Sequence, residues 1–281
     1  MILNASQIKD DIRDSLNEAT ASHWTDLAIL RKMNKAQQKL AMLLSMSIGD
    51  WLMTKAAITP SNSLVALPSD CAKPIYMENA TTGMEVQFSG TIRERNLSRV
   101  DTVLLNQLNP DAYMYGNYVE INQASYTDQV NLWYEKRIPD LHFGTGASGS
   151  GSSALVFTAA NIPAPRDDYY NNVYVTITAG TGVGIRSLIS DYTGATFTAT
   201  ITGTVGTDSI YGTETLLPEE AIPCLTNMAA TELLAKPGAA IDPKYFDYIK
   251  TELKDSLAIF TDWLSTRVKN SQRIRTQEDL L

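Results

Sequence analysis

The apolar residues of this chain change their period twice, and that change limits its possible folds more than any other feature. From Trp24 to Leu44 they recur at intervals of three and four: Trp24, Leu27, Leu30, Met33, Ala36, Leu40, Leu43 and Leu44. Arg31, Lys32, Lys35, Gln38 and Lys39 fill the opposite side, so the segment is predicted to be an amphipathic helix. A shorter stripe of Ile8, Ile12, Leu16 and Ala19 predicts a helix before it, opened by Ser6 or Asn4 as cap. Gly49 interrupts the helical pattern, which runs on to Ala57 and ends at "TPSNS".

The period then shortens. Leu64 to Leu67, Ile75 to Asn79, Met84 to Phe88, Ala112 to Asn122 and Val130 to Arg137 are short apolar and aromatic runs bounded by Pro, Gly, Asn and Asp, the pattern of strands. "HFGTGASGSGSSA", 142–154, has no period and reads as a flexible connector. From Leu155 to Tyr211 the chain is rich in Thr, Val, Ile, Tyr and Gly and poor in Lys and Glu, which marks an inserted β-domain. Helical spacing returns in "LLPEEAIPCLTNMAATELLAKPG", where Pro218, Glu219 and Glu220 suit a helix start and Pro237-Gly238 its stop. A last helix follows "IDPKYF", with Phe246, Ile249, Leu253, Leu257, Phe260, Leu264 and Val268 on one side. Lys250, Glu252, Lys254, Asp255 and Asp262 are left to water, and a polar tail, "NSQRIRTQEDLL", ends the chain.

Three glycines at alternate positions, Gly180, Gly182 and Gly184, raise the question of a phosphate cradle. A dinucleotide fingerprint needs a helix after its glycines, and a P-loop needs Gly-Lys-Ser or Gly-Lys-Thr. The residues that follow, Ile185 to Ser190, then the turn "DYTG" and the alternating run Ala195 to Thr202, are extended chain, and neither Gly-Lys pair occurs. The glycines are therefore read as the bend of a β-hairpin, with positive φ where needed.

Composition narrows the function classes. At 281 residues, 44% of them hydrophobic, the chain can bury one large core or two smaller ones. No run of 18 apolar residues occurs and the N-terminus is charged, so neither a membrane span nor a secretory signal is expected. A net charge of −8 without a basic stripe interleaved with aromatics argues against tight nucleic-acid binding but leaves a wall past which DNA can slide. Cys71 and Cys224 form no CxxC pair and are read as buried free thiols, and no metal or other cofactor is expected. Two histidines, His23 and His142, far apart in sequence, give a His-based triad or zinc site little to draw on. The adjacent acids Asp10-Asp11, Asp167-Asp168 and Glu219-Glu220 leave a glycosidase as the enzymatic alternative. Glu219 and Glu220 are explained by a helix N-terminus, which favours negative charge.

Four segments in order carry a family resemblance: "LRKMNKAQQKLAMLL", "SLVALPSDCAKPIYMEN", "VNLWYEKRIPDL" and "LLPEEAIPCLTNMAATELL". Together they resemble the head-to-tail connector, or adaptor, proteins of tailed bacteriophages. The segment "DDYYNNVYVTITAGTGVGIRSLISDYTGATFTATIT" is similar to a small β-module of phage tail and connector proteins, although "TGTVGTDSIY" departs from that module by lacking an aromatic residue and a proline.

The resemblance implies an α+β fold: a helical adaptor core with a small antiparallel strand region and an inserted all-β domain. Its expected divisions are 1–141 and 216–281 for the core, 142–154 for the linker and 155–215 for the β-domain. It implies a virion structural protein assembled in the host cytoplasm as a ring, a dodecamer in the family. The ring sits beneath the portal protein, extends the DNA channel without binding DNA specifically, and docks the tail nozzle or tube. The portal contact is expected from Arg273, Ile274, Arg275, Leu280 and Leu281 in the tail. Tyr169, Tyr170 and Tyr174 are candidates to meet tail or fibre proteins, the alternative being that they cover the β-domain's own core. A receptor- or glycan-binding tail protein built on the β-module is the further alternative.

Overall fold

The computed structural model describes residues 3–18, 23–47, 51–88, 111–123, 126–235 and 243–278, with backbone alone at Tyr115 and from 267 onward. The fold is mixed α+β, with several antiparallel sheets. Contacts divide the chain into two compact units, one formed by Met1–Ile48 with Ile138–Leu281 and the other by Gly49–Arg137.

Among the described residues the first unit holds four helices: α1 (Ala5–Ser15), α2 (Asp26–Ser47), α3 (Ile222–Leu234) and α4 (Pro243–Glu278). The cap of α1 is Asn4, not Ser6. Its Oδ1 accepts from the Ser6 and Gln7 amides at 3.0 and 3.1 Å, while Gln7 Oε1 accepts from the Asn4 amide at 3.2 Å, a capping box that satisfies the first turn. Ile8 and Ile12 are fully buried, whereas Ala19 lies outside the described residues. At the other end Arg13 is buried and held by Glu18 at 3.4 Å and Asp26 at 2.5 Å, with a further hydrogen bond to the Trp24 carbonyl. The exit of α1 is thereby fastened to the entry of α2.

Helix α2 buries Leu30, Met33, Ala36, Leu40 and Leu44 of the stripe its spacing predicts and Ile29 besides, while Leu27 and Leu43 of that stripe are half-buried. Polar side chains on the same helix hold the returning chain. Asn34 exchanges two hydrogen bonds with the backbone of Leu141, and the buried Gln37 donates to the Pro139 carbonyl at 2.8 Å and accepts from Thr215 Oγ1 at 2.7 Å. A 3-10 turn, Glu219–Ala221, leads into α3, which packs on α1, α2 and α4. Helix α4 buries Ile249, Phe260 and Leu264 and leaves Lys250, Glu252, Lys254, Asp255 and Asp262 exposed. The segment 270–278, expected as a polar tail, continues this helix, because nothing in "NSQRIRTQE" breaks the i to i−4 ladder. Val268 falls where side chains are not described, and Pro237-Gly238 lies outside the described residues.

The described residues of the second unit form seven strands: β1 (Met53–Ile58), β2 (Leu64–Ala66), β3 (Cys71–Asn79), β4 (Gln87–Phe88), β5 (Asp111–Tyr115), β6 (Tyr118–Ile121) and β7 (Val130–Lys136). They form sheets of order β1-β7-β3 and β2-β6-β5-β4, antiparallel except between β4 and β5. Val130, Leu132 and Tyr134 of β7 alternate inward onto Met77, Val119 and Ile121. Two expectations are corrected here. Met53 to Ala57 continues no helix; it pairs with Asn131 to Glu135 of β7, and pairing overrides the helical leaning of Met, Lys and Ala. The run Ala112 to Asn122 is a hairpin rather than one strand, turning at Gly116 with φ of +55°.

In the first unit the β structure consists of β8 (Phe143–Thr145), β9 (Ser152–Val156), β10 (Tyr174–Ala179), β11 (Arg186–Leu188), β12 (Asp191–Thr193), β13 (Thr198–Thr204) and β14 (Ile210–Thr213). Their sheets have orders β11-β10-β14-β8 and β12-β13-β9. The Gly/Ser stretch is therefore more than a connector: Phe143 to Thr145 pairs with β14, and Ser152 to Val156 pairs with β13. Phe143 within the stretch and Leu155 just after it are buried and fasten it at both ends. Helix α1 touches this layer. Asn4 makes an antiparallel bridge to Glu214, and a Cβ on Gly212 would come within 2.6 Å of the Ser6 amide.

Candidate interaction surfaces

The glycine run forms the hairpin its sequence predicts. Tyr174, Val175 and Thr176 pair with Leu188, Ser187 and Arg186, and Gly180, Gly182 and Gly184 between them have φ of +80°, +83° and +87°. Added Cβ atoms would meet the Asp208 carbonyl oxygen at 2.1 Å from Gly180 and the Thr204 carbonyl oxygen at 2.6 Å from Gly182. Gly180 and Gly182 are required by close backbone approach as well as by conformation, and Gly184 by conformation alone. Asp208 caps the bend by accepting from the Thr181 amide at 3.0 Å. The turn read at "DYTG" lies three residues later: Asp191 to Thr193 is strand β12, and the turn spans Gly194 to Phe197, with Phe197 at φ of +55°.

The three candidate tyrosines have different environments. Tyr170 is 1% exposed, edge-on to Phe157 and Tyr192 at centroid distances of 5.2 and 4.8 Å, so its ring is unavailable to a partner. Tyr169 is half-buried; its hydroxyl accepts from the Asp140 amide at 3.1 Å, and Arg166 lies over its ring. Tyr174 is exposed. The Arg186 guanidinium lies 3.8 Å from its ring centroid and grips Glu214 through two hydrogen bonds of 2.8 Å, with Thr176 donating to the same carboxylate at 2.7 Å. Tyr174 and its cross-strand partner Leu188 are both exposed beside that fork.

His142 has a structural environment. Its ring stacks on Phe157 and Tyr211 at 5.0 and 5.8 Å, and Nδ1 shares a hydrogen bond with the Tyr211 hydroxyl at 3.1 Å. Burial pushes its pKa down to about 3, so the ring is neutral. His23 is exposed, edge-on to Trp24 at 4.6 Å. Asp167 accepts from the Gly194 amide and Asp168 from Asn171, so this acid pair is engaged in turn structure. Cys224 is buried and Cys71 partly so; burial, with Asp70 nearby, pushes the Cys71 thiol up to about 11.

Between α2 and α3 lies a charge cluster that its residues' spacing did not reveal. Lys32, Lys35 and Lys39 all reach Glu232 of α3, at 3.1, 3.0 and 2.5 Å. Burial raises the Glu232 pKa, but the hydrogen bonds from Lys39, Lys35 and Lys32 together outweigh it and hold the carboxyl at about 2. An unfolded Glu titrates near ~4.3, so the stabilisation is complete above about pH 5 and is lost as pH falls towards 2. Glu232→Gln is expected to lower the melting temperature at pH 7, where three ammonium groups would lose their shared carboxylate. That difference should shrink as thermal scans are run from pH 5 down to 2.

The remaining predicted site residues lie at the far end of α4. Arg273, Ile274 and Arg275 are on its helical backbone, their side chains not described, and Leu280 and Leu281 lie outside the described residues.

Helices and sheets bearing exposed aromatic, apolar and charged stripes define a protein whose described surfaces suit docking. Residues 3–175 match the model of the SU10 adaptor protein family, and the chain belongs to that family of phage head-to-tail adaptors. It is accordingly a structural component of the virion, of a class that engages portal and tail proteins. No curated protein matches the chain.

Proposed function

We propose that this adaptor closes into a ring of identical subunits beneath the portal, a dodecamer as in the resembling connectors, that it extends the DNA channel, and that the tail docks on it. The observation carrying this is the family match, which spans α1, α2, the Gly49–Arg137 unit and the first strands of the β layer. A net charge of −8 supports a channel that DNA crosses with little binding, since attraction to phosphate grows with the cations presented. In this reading residues 155–215 are a module inserted into the helical adaptor core. Its exposed Tyr174 face meets tail or fibre proteins, and the Arg273 to Leu281 segment meets the portal.

Negative-stain imaging of the purified chain with and without portal tests the ring. Closed annuli stacked on portal are expected; monomers that never sediment with portal would overturn the proposal. Trimers with distal β tips would favour a receptor-binding tail protein instead, and clearing of a peptidoglycan suspension would revive a glycosidase. Removing Arg273 to Leu281 is expected to weaken portal co-sedimentation roughly tenfold, as befits the loss of one or two charge-assisted hydrogen bonds. Undiminished binding would leave the portal contact elsewhere.

A further inference from the structure

Two exposed helix stripes have matching length and opposite charge. On α2, Lys32, Lys35, Lys39, Met42 and Met46 recur at three and four, with Met42 68% and Met46 87% exposed. Three ammonium groups share the single Glu232 carboxylate, so the stripe keeps surplus positive charge. On α4, Tyr248, Glu252, Asp255, Ile259 and Asp262 recur at four and three, all exposed, with Ile259 at 68%. From Tyr248 to Asp262 that stripe contains no cation; Lys250 and Lys254 lie on another side of the helix. At 1.5 Å per residue each stripe is about 21 Å long.

The two helices also run the same way. Both start at the C-terminal end of α1, where Arg13 holds Asp26 at 2.5 Å and the Tyr245 hydroxyl donates to the Ser15 carbonyl at 2.6 Å. Both run against α3. Along α4, Leu234 packs by Phe246 and Ile249 while Asn227 reaches Ser256; beside α2, α3 ends with Leu234 near Leu16, at the end of α1 where α2 begins. A rotation about an axis along these helices preserves their direction, so successive copies in a ring meet with α2 and α4 parallel.

We propose that the basic stripe of α2 in one copy docks on the acidic stripe of α4 in the next. Aligning Lys32 with Tyr248 places Lys35 by Glu252, Lys39 by Asp255, Met42 by Ile259 and Met46 by Asp262, so one lysine meets an aromatic ring, two meet carboxylates and Met42 meets an apolar side chain. The contact is heterologous, as a closed ring requires, and it covers the two most exposed methionines of α2. The inference rests on the ring reading and specifies which faces make the ring.

Charge reversal tests it in three chains, with assembly followed by mass photometry and folding by circular dichroism. Glu252→Lys with Asp255→Lys, on α4, is expected to raise the concentration needed for assembly at least tenfold while the chain stays folded. Lys35→Glu with Lys39→Glu should do the same, and combining all four reversals should restore assembly. The α4 pair decides the matter if the α2 pair, whose lysines also hold Glu232, proves unstable. Lys35→Cys with Glu252→Cys should give an oxidised ladder of multimers that neither single variant gives. Wild-type rings with reversal variants that assemble equally well would overturn this contact and leave the ring reading intact, whereas wild-type chains that form no ring would overturn the reading itself. Loss of DNA retention in the lysine variant with assembly unchanged would assign the stripe to phosphate and likewise overturn it.

Discussion

Tyr170→Ala is expected to destabilise the chain by about 3–5 kcal/mol, the range for removing a large buried aromatic ring from a core, whereas Tyr174→Ala should change stability by less than about 1 kcal/mol. The two residues are four apart and chemically identical, so the difference comes from position alone. Tyr170 fills the space between Phe157 and Tyr192 and its loss leaves a cavity; Tyr174 stands on the solvent side of β10 beneath Arg186. Denaturant unfolding followed by near-ultraviolet circular dichroism measures both. Equal losses would mean that the aromatic core is not arranged as described. The same pair serves the functional reading: Tyr174→Ala should weaken tail docking in a chain that remains fully folded.

Gly180→Ala should cost about 2–5 kcal/mol, and Gly184→Ala only about 1–2 kcal/mol. Both glycines hold φ above +80° or at it, so both substitutions carry the penalty of a left-handed alanine, about 1–2 kcal/mol. Only at Gly180 does the new methyl also collide with backbone, at 2.1 Å from the Asp208 oxygen and 2.6 Å from its carbonyl carbon; around Gly184 nothing lies within 4 Å. Backbone cannot swing aside as a side-chain tip can, so the hairpin must part from the loop that carries Asp208. The gap between the two variants, read from thermal or denaturant midpoints, isolates the collision from the conformational cost. If the two behave alike, the close approach of hairpin and loop is wrong.

Much of the fold was legible because local periodicity reports burial when one face of an element is covered. Leu30, Met33, Ala36, Leu40 and Leu44 of the α2 stripe and Ile249, Phe260 and Leu264 of the α4 stripe are buried as their spacing predicts, and the run from Val130 forms a strand. Glycines that had to bend a hairpin were also readable, since what followed them was extended chain. The errors share a cause. Met53 to Ile58 has no strong period of its own and becomes a strand only because β7 offers it a ladder. Phe143 to Thr145 and Ser152 to Val156 are too short, among too many glycines and serines, to announce themselves without β14 and β13 beside them.

The candidate surfaces were less legible. The spacing of Lys32, Lys35 and Lys39 marked a solvated face, but nothing in it pointed 193 to 200 residues onward to Glu232. Nor did sequence separate the buried Tyr170 from the exposed Tyr174, because Tyr170 lies in the turn ahead of β10, where no strand alternation applies and packing alone sets burial.

The order of residues along the chain, by itself, determined the class of each strongly periodic element, the hairpin at Gly180 to Gly184 and the family, since these depend on neighbours within a few positions and on motif order. Tertiary structure alone decided that residues 143–213 pack in one unit with α1, that His142 is neutral inside an aromatic stack, and that three lysines converge on one carboxylate. Burial and charge pairing between residues far apart in sequence are properties of the space they come to share, and that space exists only once the chain has folded.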